Sequence, residues 1–448
     1  MSFKPVLLWS DALILVLLAL VAAGVWLARH NETFRGPLRQ VWAHPVGAST
    51  ALILALYVGI GLLDSLHYVE RLPDAPGQAA SYSGEVKSAL DRLLTPLREK
   101  VEKSYSAPFA THLYAKETMT GPDGKEVRDF PRLKHGGAHL ADPEKAFWPD
   151  VLKRGGLGVL MGLVAWLVLH AIFLRGGRRR AVSMTLLGIL VTTGLLVALA
   201  PHYHVLGTDK VGQDVLYLSL KSVRTGLLIG TLTTLVMLPL ALGLGIAAGY
   251  FGGKVDDLIQ YVYTTLNSIP GVLLIAAAVL VVQVQIEAHP ELFDTAAARS
   301  DVRLLALCAI LGATGWTGLA RLLRAEALKL RELEFVQAAR AFGVTRGRIL
   351  LRHLLPNVMH LVLITVVIDF SGLVLAEAVL SYVGVGVDPA MISFGNMING
   401  ARLELAREPV VWWQLAAAFL FMFALVLAAN LFADQVRDAL DPKAKGRA

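Results

Sequence analysis

Cysteine is almost missing: Cys308 is the only one in 448 residues, so neither a disulfide framework nor a cysteine-rich metal site can be built. Charge is sparse too. Asp, Glu, Lys and Arg make up only 17% of the chain, far from the balance of a soluble globular protein. No G-x-x-x-x-G-K-S/T phosphate loop is present. The nearest approaches, Gly253-Lys254-Val255 and Gly124-Lys125-Glu126, lack the Ser or Thr that would hold magnesium, so no ATP chemistry, enzymatic activity or cofactor is expected. A basic-aromatic groove pattern is also missing. The net charge of +7 therefore does not point to nucleic acid.

What is abundant is apolar surface. Hydrophobic residues make up 55% of the chain and mean hydropathy is +0.57, which makes a bilayer its main solvent. Because a helix needs roughly 20 apolar residues to cross the hydrocarbon core, about nine spans are expected. They lie near residues 7 to 28, 46 to 64, 155 to 174, 181 to 200, 222 to 249, 259 to 284, 302 to 323, 357 to 384 and 411 to 433. The fold class expected is all-α and polytopic. Arg29, Arg35 and Arg39 follow the first span, and Arg175, Arg178, Arg179 and Arg180 separate the third from the fourth. A denser cluster runs from Arg321 through Arg324, Lys329, Arg331, Arg340, Arg346 and Arg348 to Arg352. Positive charge marks the cytoplasmic side, so these loops and the tail from Asp434 are expected inside and the N-terminus outside. The apolar run from Ala12 to Ala28 is long for a cleaved signal, and a span is the expectation there.

The polar stretch Asp64 to Lys153 falls outside by the same parity. Val86, Leu90, Leu93, Leu94, Leu97 and Val101 recur at helical spacing, predicting an amphipathic helix interrupted near Pro96. Gly121 to Ala141 reads as irregular loop. About 90 residues bury only a modest core, so this insertion is expected to pack on the membrane part or on a partner. His112, His135 and His139 lie in it, but His135 and His139 share a glycine-rich loop and no cysteine completes a set, so no metal site is expected.

Residues 335 to 356, FVQAARAFGVTRGRILLRHLLP, carry the functional signal. On a helix through Phe335 to Phe342, Ala338 and Ala339 leave the backbone open to close approach. Gly343 ends that helix in a left-handed cap, Thr345 is placed to cap the next one, and Arg346, Arg348 and Arg352 suit a membrane surface. Pro356 fits a first helical turn. Taken locally, an ordinary interfacial hairpin would satisfy the same pattern. The stretch resembles the EAA loop of ABC-importer permeases, in the form found in the dipeptide, oligopeptide and nickel permease family. Four more segments resemble that family in order: GTDKVGQDVL from Gly207, GYFGGKVDDLIQYVYTTLNSIPGVLL from Gly249, LSYVGVGVDPAMISFGNMI from Leu380 and NLFADQVRDALDPK from Asn430. Three positions depart from the pattern: Gln337 stands for the usual Glu, Gln213 for Arg and Tyr382 for Phe.

The resemblance implies a type I ABC-importer permease core over residues 181–448, with its coupling loop at about 324–356. Residues 1–64 would add a transmembrane pair, 65–153 an extracytoplasmic insertion of mostly helical or irregular structure, and 154–180 a further helix with a basic loop. Gln337, Ala338, Ala339, Gly343, Arg346, Leu355 and Pro356 would contact separate ABC ATPase subunits. The other partners implied are a second permease chain, an extracytoplasmic solute-binding protein and the lipid of a bacterial inner membrane, and the cargo would be peptides or similar small solutes. Intramembrane Asp369 and Glu377, with Asn267 and Pro270 where the sixth span is interrupted, are the candidate pathway residues. Asp209 and Asp214 are read as helix caps, and the tail with Arg437, Asp438, Asp441 and Pro442 as a juxtamembrane helix. Two other readings fit parts of the sequence: a secondary transporter driven through Asp369 and Glu377, or a membrane-anchored sensor or scaffold.

Overall fold

The computed structural model describes residues 3–29, 32–72, 82–120, 126–173, 180–293 and 295–440. A short strand β1 (Phe3–Val6) precedes the apolar helix α1 (Trp9–Arg29), then α2 (Glu32–Ala43) and α3 (Pro45–Asp64). The insertion carries β2 (His67–Arg71), β3 (Tyr82–Ser88), short helices α4 (Ala89–Leu93) and α5 (Thr95–Arg98), and a hairpin of β4 (Glu117–Thr120) and β5 (Glu126–Asp129). Long apolar helices follow: α6 (Pro143–Phe173), α7 (Arg180–Leu199) and α8 (Val215–Phe251). Beyond them lie α9 (Gly253–Ser268), α10 (Gly271–Ala288), α11 (Ala296–Gly315), α12 (Thr317–Leu330), α13 (Glu334–Ala341) and α14 (Arg346–Ile349). A π-helical turn, Leu350–Leu354, leads into α15 (Leu355–Val383), and α16 (Phe394–Arg402) and α17 (Trp413–Leu440) complete the chain.

Among the described residues, 8 helical segments are long and apolar enough to cross a membrane, and Trp9–Gly24 adds a shorter apolar helix. The protein is an all-α polytopic membrane protein in its membrane part. One expected span needs redrawing. The run 259–284 is broken where Ile269 turns extended before Pro270, so α9 is a separate amphipathic helix and α10 is the membrane-length one. Proline offers no N–H to continue α9, and the residue before it is driven from the helical region. Arg175, Arg178 and Arg179 lie outside the described residues, as do Gly124, Lys125, Asp441 and Pro442.

The chain packs as two compact units. The first comprises residues 1–7, 42–225 and 392–428. Its strands β1, β2 and β3 form an antiparallel sheet, with Phe3 opposite Glu70 and His67 opposite Ser88. The predicted amphipathic helix is largely replaced. Val86 belongs to β3, Leu90 and Leu97 sit buried on the two short helices either side of the break, and Leu93 and Val101 are exposed. Helices α6 and α7 meet through glycines: a Cβ added to Gly158 would fall 2.6 Å from the Gly194 carbonyl oxygen. Small residues allow this backbone approach where lipid supplies no hydrophobic drive between helices.

The second unit comprises residues 8–41, 226–391 and 429–448. One of its cores joins Leu228, Ile229 and Leu232 to Leu304, Leu307 and Leu311. The other joins Leu323 and Leu330 to Val336, Ile349, Leu354 and Val358, all but Leu330 essentially inaccessible. Helix α1 is tied into this unit at its start, where the Ser10 backbone N–H donates to Asp301 at 3.0 Å and its hydroxyl donates to the same carboxylate.

Candidate functional site

The chain turns sharply between α12 and α15. Helix α13 ends at Ala341, and Gly343 takes φ +74°, a left-handed conformation without a Cβ penalty in glycine alone. The Gly343 N–H donates to the Arg340 carbonyl and the Val344 N–H to the Ala339 carbonyl, each at 3.0 Å. This paired closure is the Schellman motif. Gly343 therefore has the conformation expected of it. Thr345 stands at the start of α14 in extended conformation but makes no side-chain cap bond.

Pro356 does not open a new helix. Helix runs on through 346–383, and the π-helical turn Leu350–Leu354 directly precedes it. Proline lacks an N–H and its ring crowds the carbonyl four residues back, so a local widening of the helix absorbs it. Asn357 helps by donating to the His353 carbonyl at 2.6 Å.

The elbow has an inner and an outer side. Val336, Ala339, Ile349 and Leu354 are buried in the second unit's core, and Leu355 packs against it. Ala339 is thus part of that core, while Ala338 beside it is exposed. Gln337, Ala338, Gly343, Arg346 and Pro356 are exposed, and Gln337 donates to the Glu332 carbonyl at 3.1 Å. Phe342 is 87% exposed, a large aromatic at the tip of the turn. Its exposure is not legible in the sequence, because nothing in an apolar residue beside a glycine says which way it points.

The arginines brace the elbow as much as they decorate it. Arg324 grips Asp256 with two bonds of 2.5 and 2.6 Å, which hold that carboxyl below its usual range although burial opposes this. Arg331 donates to the Gly249 carbonyl at 3.3 Å. Arg340 lies 4.6 Å over the Tyr250 ring and Arg346 6.0 Å over Phe251, so both stack on the end of α8.

The expected pathway residues are not brought together. Asn267 accepts from the Thr317 hydroxyl at 3.1 Å, while Pro270 is exposed at the start of α10. Glu377 is 1% exposed and accepts from Ser381 at 2.8 Å on the packed side of α15. Asp369 is half-buried, with no hydrogen-bond or ion-pair partner among the described residues.

A family model for the binding-protein-dependent transport system inner membrane component matches residues 241–446, from late α8 beyond the end of α17. The chain is 32% identical over 242 residues to the oligopeptide transport system permease protein OppC of Mycobacterium tuberculosis, covering 54% of this chain and 77% of that one. With OppC of Bacillus subtilis the identity is 27% over 318 residues, covering 68% and 95%. With the dipeptide transport system permease protein DppC of Lactococcus lactis it is 30% over 241 residues, covering 54% and 64%. The chain belongs to this permease family. It is a multi-pass inner-membrane component of an ABC importer and not an enzyme, and other ABC components are its partners. The whole elbow lies inside the matched region of this permease.

The GTD segment of the permease lies before that region. Asp214 caps α8, accepting from the Leu216 and Tyr217 N–H groups at 2.9 and 3.3 Å. Asp209 accepts from Val211 and Gln213 within its turn, yet burial pushes its carboxyl up. No local pattern marks His204, which is 2% exposed between Asp214 at 2.7 Å and Glu102 of the insertion at 3.3 Å. Burial opposes its charge, but the two carboxylates prevail and lift it to about 9. Burial likewise opposes ionisation of Glu102, but His204 and the N–H groups of Lys134, His135 and Gly136 bring it down to about 2. Of the expected insertion histidines, His139 meets Asp150 at 2.8 Å and His112 meets Thr111 at 3.0 Å, while His135 joins the cluster through its backbone N–H, 2.7 Å from Glu102.

Proposed function

We propose that this permease forms half of the pathway of an ATP-driven peptide importer, and that residues 334–354 are the elbow on which separate ATPase subunits act. The observation that carries the reading is a rigid turn whose outer side presents Ala338 and Phe342 while its inner side is locked into the core. Closure of an ATPase dimer would move the elbow as one body with α15, because close-packed helices pass on a displacement without dissipating it. A second permease chain completes the pathway and an extracytoplasmic binding protein delivers cargo. The names of the relatives, oligopeptide and dipeptide transport permeases, support peptides as that cargo.

The N-terminus lies outside and the C-terminus in the cytoplasm in this reading. Pairing of β1 with β2, which joins the N-terminal strand to the insertion, supports it. Residues 65–153 and the flanking helices then extend a permease core at 181–448. Proteoliposomes test the whole. Purified complex carrying a second permease and an ATPase, with the binding protein supplied outside, should take up tetraalanine only with ATP in the lumen, whereas uptake by this chain alone under an ion gradient would establish a secondary transporter instead.

A further inference from the structure

Helix α15 is fixed in rotation by contacts on one side. Phe370 occupies the space beside Gly230 of α8, where an added Cβ would come within 2.4 Å of the Phe370 ring, and Ser371 donates to Asn430 of α17 at 2.7 Å. Another side carries Ile368, Gly372, Leu375, Val379 and Val383, all exposed, and a Cβ on Gly372 would meet nothing within 4 Å. Apolar stripes of this kind ordinarily face lipid.

Asp369 excludes that for the edge it occupies. It sits at the border of the stripe, near the middle of the apolar part of α15, with Thr365 one turn before and Gly372 one turn after. No donor or cation satisfies it among the described residues, whereas the acid on the packed side, Glu377, is buried and hydrogen-bonded. Packing of the span therefore does not require the Asp369 carboxyl. An ionisable group at that depth is too costly to leave against acyl chains, and it faces a water-filled cavity or a charged ligand.

We infer that Asp369 lines the aqueous pathway and recognises a cationic group of the cargo, the terminal ammonium of a peptide being the chemistry that fits. This rests on the peptide-import reading. Gly372 leaves room for a ligand to approach, and a single carboxylate holds an ammonium strongly enough to orient it and weakly enough to release it. The attraction is larger here than in bulk water because the surroundings are apolar.

The test uses the full complex with Cys308→Ser as background. Asp369→Cys should react with a cationic, membrane-impermeant thiol reagent in at least one nucleotide state. Wild type should import tetraalanine in preference to N-acetyl-tetraalanine. Asp369→Asn should lower tetraalanine uptake by about tenfold or more, the worth of one desolvated charged hydrogen bond, and erase the preference, while Asp369→Glu keeps it. An unchanged size-exclusion profile controls for folding. A thiol at 369 that stays unlabelled in every nucleotide state, or an Asn variant with full uptake and full preference, overturns the assignment while leaving peptide import standing. Wild type that imports neither peptide overturns the ammonium assignment together with the peptide reading.

Discussion

The insertion junction and the elbow are both rigid, but they are held in different ways. At the junction, His204, Glu102 and Asp214 are almost wholly buried and joined to one another, and the Glu102 N–H adds a bond to the Gly212 carbonyl at 2.9 Å. Lys221 of α8 reaches Asp64 at 2.8 Å and Asp91 at 3.0 Å nearby. At the elbow the interior is apolar, and the charges lie at the surface, stacked on aromatic rings. A buried polar mount has one geometry and tolerates no missing partner. An apolar anchor braced by stacked arginines keeps its own shape while leaving one surface free. The first suits a fixed platform and the second suits a lever.

The largest effect on the junction is expected at Gly212. Its φ is +81° and an added Cβ would lie 1.9 Å from the Glu102 carbonyl oxygen and 2.4 Å from its carbonyl carbon. Gly212→Ala should therefore unseat the insertion, seen as faster protease cleavage within residues 82–120 than in the wild type.

His204→Ala comes next. It strands two buried carboxylates, so the insertion should lose about 3–5 kcal/mol, measured by denaturant unfolding. The pH dependence of wild type follows from the same pair. His204 is raised from 6.5 to about 9, so its stabilisation is complete below 6.5 and lost as pH rises through 9. Glu102 is lowered from 4.5 to about 2, so its stabilisation is present above 4.5 and lost as pH falls through 2. Melting of the insertion should thus be highest between these limits and fall on the alkaline side. A flat profile from pH 6 to 9 would show that the triad does not carry the junction.

At the elbow the effects should be functional and leave the fold in place. Gly343→Val imposes about 1–3 kcal/mol of backbone strain at a positive φ, with open space around the new side chain. Expression and membrane insertion should survive while ATP-driven uptake falls by roughly the tenfold or more that this strain represents. Unchanged uptake would mean that the turn's geometry does not matter to transport. Phe342→Ala should be the mildest for stability, within about 0.5 kcal/mol, because the ring touches little of its own chain. Its loss should instead weaken retention of the ATPase on an affinity column, as truncation of an aromatic anchor does.

Much of this was legible in the residues. Apolar runs located the membrane helices, and Gly343 in its basic, alanine-rich setting announced a left-handed turn. Pro270 showed that the sixth run is interrupted, but not that α9 would leave the membrane-length helix altogether. The π-turn before Pro356 was hidden because a Leu-Pro pair fits the start of a helix as well as a widened interior. Strands β1 to β3 escaped notice because runs of a few residues show no usable period, and β1 pairs with a segment more than 60 residues away. The partners of His204 and the burial of Ala339 were not legible either: burial and partnership across long sequence distance are properties of packing, and no local pattern records them.

Cross-linking at the outer face of the elbow reports which protein touches it. With Cys308→Ser as background, Ala338→Cys in the assembled importer should form a disulfide or bismaleimide link to an ATPase subunit, with a yield that changes when nucleotide closes the ATPase dimer. A thiol at 338 that never reaches an ATPase, and is instead modified by an impermeant reagent from outside the cell, would contradict coupling through the elbow.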